Sequence, residues 1–527
     1  MKHWWKEAVI YQIYPRSFQD SNGDGVGDIS GIQQRLTYLK DLGVDALWIS
    51  PINVSPMFDF GYDISDYRAI DPQFGTMKDF DSLIKAARKL DLKILMDLVV
   101  NHTSHLHPWF IESRSSKNNP KRDWYIWQPG KKGQLPNNWK SVFGGSAWEW
   151  DESTESYFLH SFLSEQPDLN WRNPAVKKQI FSDVEFWLKR GVAGFRLDVV
   201  NLYFKDALLR NNPPRFWGWQ YPRPYELQYH TYDMSQPEMH PLLRDLRKLL
   251  DKYKAMSVGE VFGDYPGDPN KAASYLGNFD ELHLAFDFTI MFQKWSSDAF
   301  ATVMRNWMRA CGPENWPSLV LNNHDQGRSY SRYASGKNSD ARAKLLATLL
   351  LTSRGTPFLY YGEELGMKDG TIARHQLKDP VGIRYWPLNP GRDPQRTPMP
   401  WDGTDKGGFT SGDPWLPLND DTPQRNVAAQ LADPESLLSW HKKLIRLRKE
   451  SPALRLGTWA ELEGTSANVF GYIRQHDKDK KSILLNFADR PQVVSHGGTV
   501  VLSTHRKKGD KLTSSYELQP YEAIILQ

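Results

Sequence analysis

Three features of the chain predict an α/β fold: eight short apolar runs with helical stripes between them, three acids each placed just past such a run, and one oversized connection after the third run. The expected architecture is a (β/α)8 TIM barrel with an inserted subdomain after strand 3 and a C-terminal antiparallel β module. The segments are 1–102 for the first part of the barrel, 103–169 for the inserted B subdomain, 170–456 for the rest of the barrel and 457–527 for the β module.

The runs are AVIYQIY (8–14), DALWIS (45–50), LKILMDLVV (92–100), GFRLDVV (194–200), AMSVGEVF (255–262), LHLAFDF (282–288), SLVLNN (318–323) and TPFLYYG (356–362). Between the first two, Ile32, Leu36, Leu39 and Leu42 recur at helical spacing, and Gly43 follows as a C-terminal cap. Phe80, Leu83, Ile84, Ala87 and Leu90 repeat the stripe; Val176, Ile180, Val184, Trp187 and Leu188 form another, ended by Gly191. The connection of about 103–169 runs through HPWFIESRSSKNNPKRDWYIW and GKKGQLPNNW and is too long for an ordinary βα loop. It is expected to roof the barrel mouth. After PESLLSWHKKLIRLRKE (434–450), a last amphipathic helix, come β-rich runs at 468–474, 482–487, 498–504 and 522–527. These read as an antiparallel module packed on the barrel.

The bulk numbers exclude several classes of function. With 66 Lys+Arg against 62 Asp+Glu, the net charge of +4 leaves no basic stripe for nucleic acid. No apolar run reaches the length of a membrane span or a signal-peptide core, so the protein is expected to be cytoplasmic with no membrane partner. A single cysteine, Cys311, excludes an intramolecular disulfide framework and suits a reducing compartment. The 21 Trp are more telling, because flat aromatic faces pack on sugar rings as well as in cores. Trp124, Trp127, Trp139, Trp148 and Trp150, and later Trp217 and Trp219, lie in loop-like surroundings, where some are expected to line a cleft.

The three acids are Asp198, Glu260 and Asp325. On parallel barrel strands they converge at the C-terminal mouth, and a carboxyl pair in one pocket suits cleavage of a glycosidic bond. Arg196 lies two residues before Asp198, so both side chains face the same way and the guanidinium favours an ionised carboxylate. On these two residues alone, a structural ion pair is the preferred reading. Glu260 stands between Val258-Gly259 and Val261-Phe262, apolar surroundings that suit a protonated acid, although a solvated Glu at a strand end is as ordinary.

The loop Asp20-Ser21-Asn22-Gly23-Asp24-Gly25-Val26-Gly27-Asp28 starts like an EF-hand loop but has Gly31 where the closing Glu belongs. A metal-free Asx/Gly turn is the alternative. Zinc is not indicated, for want of a Cys/His cluster.

Taken together, DLVVNH (97–102), GFRLDVVN, MSVGEVF and SLVLNNHD resemble, in order, the signature segments of the alpha-amylase family of retaining glycoside hydrolases. QPDLN (166–170), AVIYQIYPRSFQDSNGDGVGDISGI, GYDISDYRAIDPQFG and GRDPQRTPMPWDG (391–403) are similar to its oligo-1,6-glucosidase and alpha-glucosidase branch. The resemblance implies Asp198 as nucleophile, Glu260 as general acid/base and Asp325 as transition-state stabiliser. It implies Asp59, Tyr62, His102, Arg196, His324 and Arg396 around the glucose, with Asp59 and Arg396 as the pair gripping its non-reducing end, and Phe143 and Phe162 against the ring. By the residues alone, His102 and His324 read as core histidines. A structural Ca2+, with Mg2+ as the alternative, is implied at Asp20, Asn22, Asp24, the Val26 carbonyl and Asp28, and no organic cofactor. The Asp59–Arg396 pair implies an exo-acting alpha-glucosidase of short oligosaccharides or disaccharides, and Val199, the residue after the nucleophile, implies a lean to α-1,6 links. The alternatives are a sucrose isomerase or trehalose synthase type of transferase on the same scaffold, and a non-catalytic transporter subunit. Monomer and homodimer stay open.

Overall fold

A computed structural model describes residues 3–216, 224–262, 267–334, 336 and 338–527. Each apolar run becomes a strand: β1 Ile10–Ile13, β2 Ala46–Ile49, β3 Lys93–Leu98, β4 Gly194–Leu197, β5 Met256–Glu260, β6 Leu284–Phe286, β7 Ser318–Val320 and β8 Thr356–Tyr360. They form one parallel sheet in the order β6-β5-β4-β3-β2-β1-β8-β7. Ser318 Oγ on β7 donates to the Ala285 carbonyl on β6 at 2.7 Å, bridging the remaining seam of a nearly closed barrel. Apart from Lys93, every residue of these strands is buried, as expected where helices cover a parallel sheet.

The helices follow the predicted stripes. The first is split into Ile29–Gln34 and Leu36–Leu42, the second half closed by Gly43 at φ 100°. Helix Met77–Lys89 starts from a Thr76/Asp79 capping box, and Pro174–Arg190 runs from an Asn173 cap to Gly191 at φ 101°. At Gly43 and Gly191 the chain turns left-handed, a conformation that costs glycine least.

Within the insertion, helix Pro108–Ser115 precedes a three-stranded antiparallel sheet of Trp127–Pro129, Ser156–Leu159 and Trp148–Asp151. Its tryptophans correct the sequence reading, because they build the subdomain instead of lining a cleft. Trp139 and Trp148 form a core with Ala147, Tyr157 and Leu159. Trp124 packs on Trp109, Trp127 stacks on Phe110 and Trp150 meets Tyr157 edge-on. Trp217 and Trp219 lie outside the described residues.

The C-terminal module is an antiparallel sheet ordered Thr458–Glu461, Val469–His476, Asp479–Asn486, Ala523–Leu526, Gly498–Ser503 and Lys511–Leu512. Phe470, Tyr472, Ile483, Leu485 and Phe487 belong to the same apolar cluster as the barrel strands. Among the described residues no helix is long and apolar enough to cross a membrane.

Candidate active site

Strand register brings the chemistry together. β3 and β4 pair Asp97 with Arg196, and β4 and β5 pair Arg196 with Val258, two residues before Glu260. Arg196 Nη1 donates to Asp97 Oδ1 and to Asp198 Oδ1, 2.7 Å each, and Nη2 donates to Glu260 Oε2. One buried cation therefore serves three buried carboxyls. The sequence reading paired Arg196 with Asp198 alone and set Glu260 among apolar neighbours; the shared guanidinium revises both points.

Burial pushes the carboxyls of Asp198 and Glu260 above the usual range, and Arg196 pulls each back. Three carboxyls around one guanidinium repel one another and titrate as a unit. At Asp325 burial also raises the carboxyl, but His324, Arg392 and Arg396 outweigh it and hold the group below the usual range. Arg396 Nη2 lies 2.9 Å from Asp325 Oδ1. The site thus sets carboxyls raised by burial beside one lowered by its cationic neighbours.

Two histidines are held neutral. Burial pushes His324 down to about 3. Gln12 Nε2 donates to its Nδ1 at 2.8 Å, which leaves the proton on Nε2, 2.6 Å from Tyr62 Oη and 3.2 Å from Asp325 Oδ2. Tyr62 Oη in turn donates to Asp97 Oδ2 at 3.1 Å. Burial lowers His102 as well; its Nε2 lies 2.8 Å from the Tyr62 carbonyl.

Directly after Asp198 the chain bends sharply. Val199 sits at φ 36°, ψ 50°, a left-handed conformation that costs a β-branched residue about 1–3 kcal/mol. The bend points the Val199 N–H at Glu260 Oε2, 3.4 Å away, and starts the 3-10 turn Val200–Leu202.

A cavity of about 690 Å3 opens above these groups, between the barrel mouth, the insertion and the segment 369–395. Nine predicted residues line it: Asp59, Tyr62, His102, Phe143, Phe162, Asp198, Val199, Glu260 and Asp325. Arg196, His324 and Arg396 sit beneath its wall, and the side chains of all three are almost wholly buried. The predicted Asp59–Arg396 grip is corrected. Asp59 Oδ1 is held by Arg392 Nη2 at 2.5 Å, whereas Arg396 Nε donates to the His324 carbonyl at 2.8 Å. Arg392 and Arg396 stand four apart in GRDPQR, and only the fold decides which one faces the cavity. Sequence reasoning also missed Asp97, Gln166, Phe262, Trp386 and Asn389. Gln166 Nε2 reaches the Tyr62 carbonyl at 3.1 Å, tying the insertion to the pocket floor. Asp97 and Gln166 lie in segments quoted above as signatures and were legible there as buried polar residues beside the acids.

In the loop 20–28, Asp20 Oδ1 accepts from the amides of Asn22 and Gly23 and Oδ2 from Gly25, 2.8–2.9 Å. Asp28 accepts from Ser21 and caps the next helix through Gly31 N. Among the described residues no group of three or more His, Cys, Asp or Glu is assembled to hold a metal. The donors are all hard oxygens, however, the chemistry that Ca2+ or Mg2+ takes, and Asn22 and Asp24 are exposed.

A nearly closed parallel barrel with acids at its C-terminal mouth defines a class, and sequence comparison gives it a family. The profile described as alpha amylase, catalytic domain, matches residues 12–457, and the chain belongs to that family of glycoside hydrolases. It is 46% identical to a probable alpha-glucosidase of Rhizobium meliloti, covering 93% of this chain and 90% of the relative. It is 41% identical to the oligo-1,6-glucosidase of Parageobacillus thermoglucosidasius, over 99% and 96% of the two chains. Among solved structures, the alpha-glucosyl transfer enzyme XgtA superimposes with a TM-score of 0.94 at 41% identity over all of both chains. A variant of the trehalulose synthase MutB gives 0.91 at 36% identity over 99% of each.

Proposed function

We propose that the protein is a retaining, exo-acting alpha-glucosidase that releases glucose from the non-reducing end of short alpha-glucosides, with a lean to α-1,6 links. The observation that carries this reading is the pairing of Asp198 and Glu260 on one guanidinium, beside a pocket whose lining includes the Asp59–Arg392 ion pair. In this reading that pair closes the pocket beyond a terminal sugar.

In this mechanism Glu260 protonates the glycosidic oxygen while Asp198 attacks the anomeric carbon. The bond to the leaving sugar breaks as the bond to Asp198 Oδ forms. Asp325, kept ionised by the Arg392 and Arg396 guanidiniums and a hydrogen bond from His324, faces the positive charge that develops on the ring. Water then gives its proton to Glu260 and displaces Asp198, and two inversions leave the α configuration. Neutral His102 lines the pocket without adding charge, while His324 stands behind Tyr62 and Asp325 and holds both in place. The Val199 methyls border the entrance where the leaving sugar sits, and one methyl against a hydroxyl there is worth about 1–3 kcal/mol of preference. A second reading, glucosyl transfer or isomerisation, draws support from the likeness to XgtA and MutB, because water and a sugar compete for one glycosyl-enzyme.

Separate incubations with isomaltose, maltose and sucrose, followed by product identification, test the proposal. Free glucose, fastest from isomaltose, supports it; a rearranged disaccharide as the main product from sucrose overturns it in favour of the second reading. The loop 20–28 is read as a cation site, its carboxylates already wrapped by backbone amides. When bound, the cation would cross-link a loop that Phe409 O and Trp415 N also hold. A chelator should then lower the melting temperature and Ca2+ restore it; an unchanged melting curve contradicts the site. The lone buried Cys311 suits a cytoplasmic protein.

A further inference from the structure

Arg392 lines the sugar pocket, yet its position is set from outside it. Its Nη2 reaches Asp59 Oδ1 at 2.5 Å and its Nη1 lies 3.4 Å from Asp325 Oδ1. The stronger anchor is behind: Asp379 Oδ1 accepts from Arg392 Nε at 2.8 Å and from Nη2 at 2.6 Å, and Asp379 Oδ2 accepts from the Arg392 backbone N–H at 3.0 Å. Asp379 has a side chain closed to solvent and does not line the cavity. The same carboxylate caps helix Pro380–Tyr385 through Gly382 N at 3.3 Å. That helix forms part of the wall, where Val381 lines the cavity and packs in one cluster with Phe143 and Phe162, while Tyr385 Oη donates to the Phe143 carbonyl at 3.3 Å.

One buried anion therefore grips a sugar-facing cation and the start of a wall helix. Arg392 has Asp59, Asp325 and Asp379 within reach, and of the three only Asp379 holds two guanidinium nitrogens and the backbone N–H as well. Without that grip, the guanidinium is free to swing onto Asp325, taking with it the Asp59 contact that closes the pocket. Three charge-assisted hydrogen bonds to one buried carboxylate fix the residue better than the single contacts to Asp59 and Asp325 do.

We propose that Asp379 is a positioning residue for substrate binding, which locks Arg392 against Asp59 and couples that end of the pocket to the helix 380–385 wall. The inference rests on the glucosidase reading above. Its test is the steady-state hydrolysis of p-nitrophenyl α-glucoside by the wild type, Asp379→Asn, Arg392→Gln and the double variant, with melting curves for each. Asp379→Asn keeps the shape but loses the anion. The expected result is a KM raised about ten- to a hundred-fold with a smaller fall in kcat. Added to Arg392→Gln, the same substitution should leave KM unchanged, since the residue it acts through is already gone. Asp379→Glu, which keeps the charge, should recover part of the KM, and it carries the test if Asp379→Asn does not fold. A purely structural role predicts a lower melting temperature with KM unmoved, and that outcome overturns the proposal; so does a full additional KM loss in the Arg392→Gln background. A wild type that leaves the glucoside intact would instead sink the glucosidase reading.

Discussion

Asp198 attacks only while ionised and Glu260 donates only while protonated, yet both share Arg196. The resolution lies in charge counting. With Asp97 also on that guanidinium, one proton among the three acids is favoured, and Glu260 is the acid that uses it. Glu260→Gln should therefore lower kcat/KM toward ordinary oligosaccharides by about 10²–10⁴-fold. For α-glucosyl fluoride, whose leaving group needs no proton, the loss of the first step should be far smaller. Steady-state and burst kinetics on the two substrates check this, and equal losses on both would contradict the assignment. At this scale the sequence was most informative for residues inside strand-end segments, since a two-residue spacing fixes a shared face. It was least informative at Arg392 and Asp379. Their roles arise from contacts 333 and 13 positions apart in the chain, which no periodicity encodes.

All eight strands were legible because buried parallel strands read as continuous apolar runs and the helices between them as stripes. The tryptophan-rich insertion was not, because aromatic residues in Gly- and Asn-rich surroundings suit a cleft or a small subdomain core equally well. The ends of β7 and β8 carry a further consequence. Glu363 Oε2 accepts from Asn322 Nδ2 at 2.6 Å and from the Tyr360 N–H at 3.1 Å, lacing the two strand ends together. Burial pushes this carboxyl up to about 8. Between the model-peptide value of 4.5 and about 8, the folded protein holds a proton that the unfolded chain releases, so stability falls as pH rises, by up to about 1.4 kcal/mol per pH unit. Below that window both states are protonated and the penalty vanishes. Glu363→Gln keeps an acceptor without the charge and should melt higher than wild type at pH 8–9 while matching it near pH 5. Two parallel curves of melting temperature against pH would contradict the raised carboxyl.

Over the whole molecule, barrel closure gathers residues from positions 59, 102, 198, 260, 325 and 392 around one cavity. The insertion adds Phe143 and Phe162 to its wall, and the C-terminal module extends the barrel's own apolar core. The central claim is that this gathering makes Asp198 the nucleophile of a double displacement. A fluorinated glucosyl fluoride, whose ring substituent slows the second displacement more than the first, should trap the glycosyl-enzyme. Proteolysis and mass spectrometry of the inactivated protein should then find one glucosyl adduct, on Asp198 within the peptide GFRLDVVN. An adduct on Glu260 or Asp325, or continued turnover with no adduct, would contradict the account.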